Sequence, residues 1–210
     1  IAQIGGYHGY IYDQSTYATQ VQYAIAQGKR AHTYVWWQDI TDYGTADAVL
    51  DYFLPKVQTP KGSIVALDVE SGGQNTDVIM HALQRIKDAG YTPMVYGYKN
   101  YLEVSTDLHR IANSYALWLA EYPDYNVTPT PNYNYFPSFD NVKLFQFTAS
   151  YIAGGLDGNV DLTGITDNGY KHGNPEKPNT DTPAIDAGKE ADNTSKADIA
   201  PSMTVKVNFS

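Results

Sequence analysis

The sequence contains no cysteine. That excludes a disulfide framework, a thiolate nucleophile and a Cys-rich zinc site, and it leaves the compartment open. Positive charge is also scarce, with 14 Lys and Arg against 23 Asp and Glu and a net charge of −9. Most of such a surface repels a phosphate backbone, so no nucleic-acid partner is expected. An anionic membrane surface is disfavoured for the same reason. No apolar run approaches the roughly 20 residues that cross a bilayer, and no basic region followed by an apolar segment opens the chain. The chain begins at Ile1 rather than Met, inside what reads as a strand, "IAQIGGY". Upstream material, including any export signal, is therefore expected to be missing.

What is present is the material of one sizeable core with an appendage: 210 residues, 42% of them apolar. The 19 Tyr are far above ordinary usage. A Tyr ring has a flat apolar face and a polar tip, which suits sugar rings as well as cores and interfaces.

Up to about Tyr170, apolar strands alternate with helical patterns, the signature of a parallel sheet with crossover helices. "STYATQVQYAIAQGK" reads as a helix with Ser15 as cap and Gly28 as stop. "AHTYVWW" follows as a strand, and "TADAVLDYFLPKV" as a helix broken near Pro55. The strand "SIVALDVE", the helix "TDVIMHALQRIKDAG" and the strand "TPMVYGY" come next. Beyond Tyr98 the helices thin to "STDLHRIAN", and the strands "YALWLAEY", "VKLFQFTA" and "LDGNVDLT" are nearly bare. The order suggests a barrel whose second half has lost its helices. Residues 171–198, rich in Pro, Asp, Asn and Lys, read as a disordered linker. The closing alternation, "MTVKVNFS", then suggests that 199–210 begin a truncated second module.

The stretch "IVALDVESGG" places Asp68 and Glu70 at the end of an apolar strand. Side chains at i and i+2 share a face, so the two carboxylates project together. In a (β/α) barrel the site lies at the carboxyl ends of the strands. Two adjacent carboxylates resist joint ionisation, which makes one of them a general acid near neutral pH. Capping of the next loop is the plainer reading of the same residues. Two groups on one strand approach a substrate from one side, whereas a covalent sugar intermediate needs a nucleophile on the other. Asp161, at the end of "GNVDL", is the candidate for that second participant; the substrate's own N-acetyl group is the alternative.

Aromatics at strand ends add a sugar-binding character: Trp36 or Trp37, Tyr96, Tyr98, Trp118 and Tyr122. Alternation allows only one of Trp36 and Trp37 to face inward. Trp118, between Leu117 and Leu119, is the one whose neighbours point most to simple packing. His8 and His32 stand at strand ends with no carboxylate or second His at ligand spacing, so they read as hydrogen bonders rather than metal ligands. His81 and His109 fall on the exposed sides of helices.

The succession "YATQVQYAIAQGKRAHTYVW", "VALDVES", "GYTPMVYGYKNYL", "YALWLAEYP" and "LFQFTASYIAGGLDGNVDL" resembles the glycoside hydrolase family 25 lysozymes, phage endolysins of lactic acid bacteria among them. The resemblance covers residues 1–170. It implies an α/β fold, an irregular TIM-like (β/α)5(β)3 barrel, here expected to lack its first strand. It also implies an N-acetylmuramidase acting on peptidoglycan glycan strands as a monomer, with no cofactor and no metal. Residue by residue, Glu70 falls on the proton donor, Asp68 on its helper and Asp161 on the acid of the closing hairpin. Tyr34 and Tyr96 fall on strand-end tyrosines, and Glu121 stands where a neutral or basic residue is usual. The family's opening "D-V-S" strand does not precede Ile1, and "IAQIGGYHGY" stands where members read like "IKATEG", with Gly6, Tyr7 and His8 as departures. The place of action it implies is the bacterial cell wall, reached from outside or through a phage holin. The competing reading is a non-catalytic glycan-binding remnant. A chitinase-like hydrolase is weaker, because its longer acidic signature, D-x-x-D-x-D-x-E, is not present.

Overall fold

In the computed structural model, which describes residues 1–152, 155–170 and 203–207, the alternating segments become strands of a single sheet. The first half runs β1 (Ala2–Tyr7), β2 (Ile11–Asp13), α1 (Tyr17–Ala26), β3 (Thr33–Trp37), α2 (Tyr43–Phe53), β4 (Ile64–Asp68) and α3 (Thr76–Asp88). The second runs β5 (Thr92–Tyr98), α4 (Lys99–Ser105), α5 (Leu108–Ala112), β6 (Ala116–Ala120), β7 (Val142–Thr148), β8 (Leu156–Asp161) and β9 (Met203–Val207). The sheet order is β2-β1-β3-β4-β5-β6-β7-β8-β9. From β1 to β7 the neighbours β1, β3, β4, β5, β6 and β7 are parallel, while β2 and β8 run the other way. Beyond Tyr98 two short helices, α4 and α5, still precede β6, and among the described residues no α-helix follows it.

Local chemistry explains the helix limits. Asp42 caps α2 by accepting from Thr45 N, and Asn75 caps α3 by accepting from Asp77 N and Val78 N. The α2 helix stops at Phe53, and Pro55 lies in a short 3-10 turn, Leu54–Lys56. At α1 the cap position is Thr16 rather than Ser15, without a side-chain bond. The α4 helix was not legible in advance because "KNYLEVS" is short and has no clear apolar stripe.

The strands from β3 to β7 bury residues on both faces. Val35, Trp37, Val65, Leu67, Val69, Val95, Leu117 and Leu119 pack against Val49, Leu50, Phe53, Ile79, Leu83 and Ile86 of the helices. Tyr34, Ile64, Ala66, Met94, Tyr96, Trp118 and Leu144 form a second core on the opposite face. That face has no helices over it, so it stays dry only because the sheet curls. Segment 162–170 carries the curl: Arg30 pairs with Asp167, Tyr170 Oη bonds both N and O of Ala31, and Asn168 Nδ2 donates to Thr92 Oγ1.

The curl does not close into the expected barrel. No pairing joins the end strands β2 and β9 among the described residues, so the sheet is open. The reason lies at the edges: β2 folds back on β1, and β9 pairs antiparallel with β8. Both edges that closure would join already carry a strand. The alternation in "MTVKV" thus forms a strand of this same sheet, and the expected linker, 171–198, lies outside the described residues.

His32 is fixed where the curl meets the strand starts. Its Nδ1 accepts from Ile64 N at 3.0 Å, so Nε2 carries the proton and donates to Thr166 O at 3.1 Å. Burial lowers its pKa to about 3. The unfolded chain therefore takes up this proton first, and the stability held by neutral His32 is complete above pH about 6.5 and shrinks as pH falls towards 3. Between pH 7 and 5 this group should cost the fold about 2 kcal/mol. Urea midpoints should show that loss in the native chain and a correspondingly shallower pH slope in His32→Gln. Equal slopes would refute a buried neutral imidazole.

Candidate active site

The two acids of β4 sit as strand alternation requires. Ile64, Ala66 and Asp68 face the core opposite the helices, and the chain continues extended through Val69, whose N–H bonds Tyr96 O at 2.9 Å. Glu70 follows on the same side as Asp68. Depth separates them: Asp68 is 1% exposed, whereas Glu70 is only partly buried at the mouth.

Tyrosines surround this pair. The Tyr34 phenol is pushed far above the ordinary range, first by burial and then by the charges of Asp68, Asp157 and Glu70. Tyr96 is raised by burial and by Glu70 and Asp68, and its hydroxyl donates to Gln146 Oε1. Tyr98 and Tyr122 are bonded hydroxyl to hydroxyl; burial raises both, and the charge of Asp157 adds to the effect. Tyr12 is raised by burial, with Asp68 adding to it, and accepts from Gln3 Nε2 at 3.1 Å. These phenols stay protonated at any working pH, so they serve as hydrogen-bond donors around a concentrated negative charge. An aromatic group on the β1–β2 hairpin extends the rim: His8 lies 4.4 Å from the Tyr10 ring and 5.0 Å from that of Tyr12.

The third carboxylate here is Asp157, which sequence reasoning missed. It is 6% exposed at the start of β8 and acts on Tyr34, Tyr98 and Tyr122. Asp161, expected in this role, is at the other end of the same strand. It accepts from the N–H groups of Thr163, Gly164, Ile165 and Thr166 and from Thr166 Oγ1. Burial would raise its pKa, but these bonds outweigh it and hold the carboxyl below the usual range. Its charge is felt by His32, at the amino end of β3. Asp161 therefore anchors the closing turn. The misplacement has a simple cause: β8 is antiparallel, so its start and not its end lies at the rim.

Among the aromatic candidates, Tyr34, Tyr96 and Tyr98 lie near enough to the acids to feel their charge. Trp37 belongs to the helix-side core, and Trp36, on the other face, is partly exposed with Nε1 donating to Gln38 Oε1 at 3.1 Å. Trp118 is fully buried against Tyr96 at 4.4 Å and donates to Asn159 Oδ1 at 2.7 Å. It supports the site from below and has no surface to offer a ligand. Glu121 is partly exposed, and its backbone N–H donates to Gln146 O. Among the described residues no group of three or more His, Asp or Glu is arranged to hold a metal ion.

Acids deep and shallow on one strand, a third beside them and a lining of neutral phenols make a site of the glycoside hydrolase class on an α/β sheet. Comparison with known proteins agrees and goes further. Residues 6–156 match the glycosyl hydrolases family 25, and the chain belongs to that family. It is 35% identical over 128 residues to a D-alanyl-L-alanine endopeptidase of Streptococcus phage B30, covering 58% of this chain and 29% of that protein. It is 34% identical over 112 residues to the lysozyme of Streptococcus phage Cp-7, covering 50% of this chain and 32% of that one. The chain thus spans about a third of the length of these curated relatives. Among solved structures it resembles the modular Cpl-1 endolysin complexed with a peptidoglycan analogue, at a TM-score of 0.63 and 25% identity, over 76% of this chain and 46% of that one.

Proposed function

We propose that this chain hydrolyses the β-1,4 bond between N-acetylmuramic acid and N-acetylglucosamine in bacterial peptidoglycan. The observation that carries the reading is the stacking of Asp68 below Glu70 on one strand end, with Asp157 and four tyrosines around the same mouth. Glu70, at the mouth, gives its proton to the glycosidic oxygen. The C1–O bond breaks with its electron pair on that oxygen, and positive charge grows at C1. Asp68 and Asp157 stabilise that charge or orient the acetamido group that attacks C1 from within the substrate. Water then adds at C1 and returns a proton to Glu70. The tyrosine donors hold sugar hydroxyls and the acetamido oxygen, and the rings of Tyr98 and Tyr10 offer faces for stacking.

One relative is named for a peptide bond and others for glycan cleavage. Product chemistry distinguishes the two. Digestion of purified Gram-positive walls should release new reducing sugar ends and no new free amino groups. Amino groups without reducing ends would overturn the glycosidase reading. Binding to walls with neither product would favour a glycan-binding remnant.

A further inference from the structure

Glu70 is suspended between two anchored points. On its amino side, Val69 N bonds Tyr96 O, and Val69 O lies so close to Gly97 that a Cβ there would come within 2.5 Å of it. On its carboxyl side the turn Ser71-Gly72-Gly73 has no strand partner, so side chains must hold it. Gln74 Nε2 donates to Ser71 O at 2.8 Å, and Tyr101 Oη donates to Gly72 O at 2.8 Å. The shortest tie comes from another loop: Gly73 N donates to Asp39 Oδ1 at 2.6 Å.

Asp39 is unusual in its own backbone. Its φ is +56°, left-handed for a residue with a side chain, which costs on the order of 1 kcal/mol. Glycine would make that bend without strain. Gly72 matches it from the other side: its φ is +79°, and a Cβ there would lie 2.3 Å from Asp39 Oδ1. A strained carboxylate thus fills the space a missing side chain leaves. Asn75 Nδ2 reinforces the loop contact by donating to Thr41 O at 3.1 Å.

We infer that Asp39 is a positioning residue for Glu70, acting through the Ser71-Gly72-Gly73 turn. The inference rests on Glu70 as proton donor. A proton donor works only within hydrogen-bond reach of its oxygen, and small displacements of such a group are costly in rate. Asp39 touches no substrate.

The test compares Asp39→Gly with Asp39→Asn in the 210-residue chain. Glycine relieves the strained φ and removes the acceptor, whereas asparagine keeps an acceptor oxygen without the charge. Asp39→Gly should fold as stably as the native chain, lose about tenfold in apparent kcat on purified walls at unchanged apparent KM, and shift the alkaline limb of the pH profile, which the donor's ionisation sets. Asp39→Asn should recover most of the rate. Tyr101→Phe, which removes the neighbouring tie, should lower kcat in the same direction. A 13C titration of the Glu70 carboxyl, which needs no turnover, should change in Asp39→Gly and far less in Asp39→Asn. Native kcat, pH profile and Glu70 titration in Asp39→Gly would overturn the inference, as would equal losses in both variants. Glu70→Gln separates the two layers. Lysis that survives Glu70→Gln refutes the donor itself, whereas lysis abolished there but intact in Asp39→Gly refutes only the positioning role.

Discussion

Glu70→Gln should abolish wall lysis, with a loss of about a hundredfold or more, while the thermal midpoint stays close to native. The amide has the shape of the acid but cannot release a proton to a leaving oxygen. Glu70 is partly exposed at the mouth, so replacing it leaves no deeply buried charge unpaired and the fold has little reason to suffer. Asp68→Asn should behave differently, because Asp68 is 1% exposed inside the second core and its carboxylate is part of the packing there. Both rate and stability should fall. Turbidity loss of purified walls, read beside thermal unfolding, checks both variants. A Glu70→Gln chain that keeps more than about a tenth of the rate would remove this residue from the acid role.

The two acids of β8 should separate just as sharply. Asp157→Asn should lose about tenfold or more in rate with a native unfolding midpoint, because its charge acts on the tyrosines of the mouth. Asp161→Ala should do the reverse. It strips acceptors from four consecutive backbone N–H groups and from Thr166 Oγ1, and about 3 kcal/mol of stability should go with them. The turn it holds carries Thr166, Asp167 and Tyr170, which fasten the curl to β3. The carboxyl's lowered pKa gives the effect a pH signature. Its contribution is complete above pH about 4 and is lost as acid protonates it in the folded chain. Urea midpoints and initial lysis rates of the two variants, measured together, decide the assignment. A catalytic loss in Asp161→Ala at native stability would restore that residue to the site.

Much of this arrangement is written in local pattern. Alternation in "IVALDVE" puts Asp68 and Glu70 on one face, and the same period sorts Trp36 from Trp37 and carries Tyr34, Tyr96 and Tyr98 to one side. Those placements follow from the two-residue repeat of a strand, which needs no knowledge of its neighbours. The parallel order of the first half was legible for a similar reason, since strand and helix periods alternate there. Asp39 carried no such signal. Its role depends on a left-handed φ and on a glycine more than thirty residues away, and neither is a repeat.

Asp157 and Asp161 show where local pattern stops. In "LDGNVDL" both lie on the same face of one strand, and alternation treats them alike. Which of them meets Glu70 depends on the direction of β8. A parallel return needs a crossover of about a dozen residues or more, and the 149–155 connection is too short to supply one. The strand therefore turns back, bringing Asp157 to the rim and Asp161 to the floor. Edge pairing was likewise decided only in three dimensions, with β2 and β9 taking the two edges whose union would have closed a barrel. The sequence by itself determined which face each side chain takes, because that is a property of consecutive residues. Tertiary structure decided which end of a strand reaches the site and whether the sheet closes, because those depend on what pairs with what across the chain.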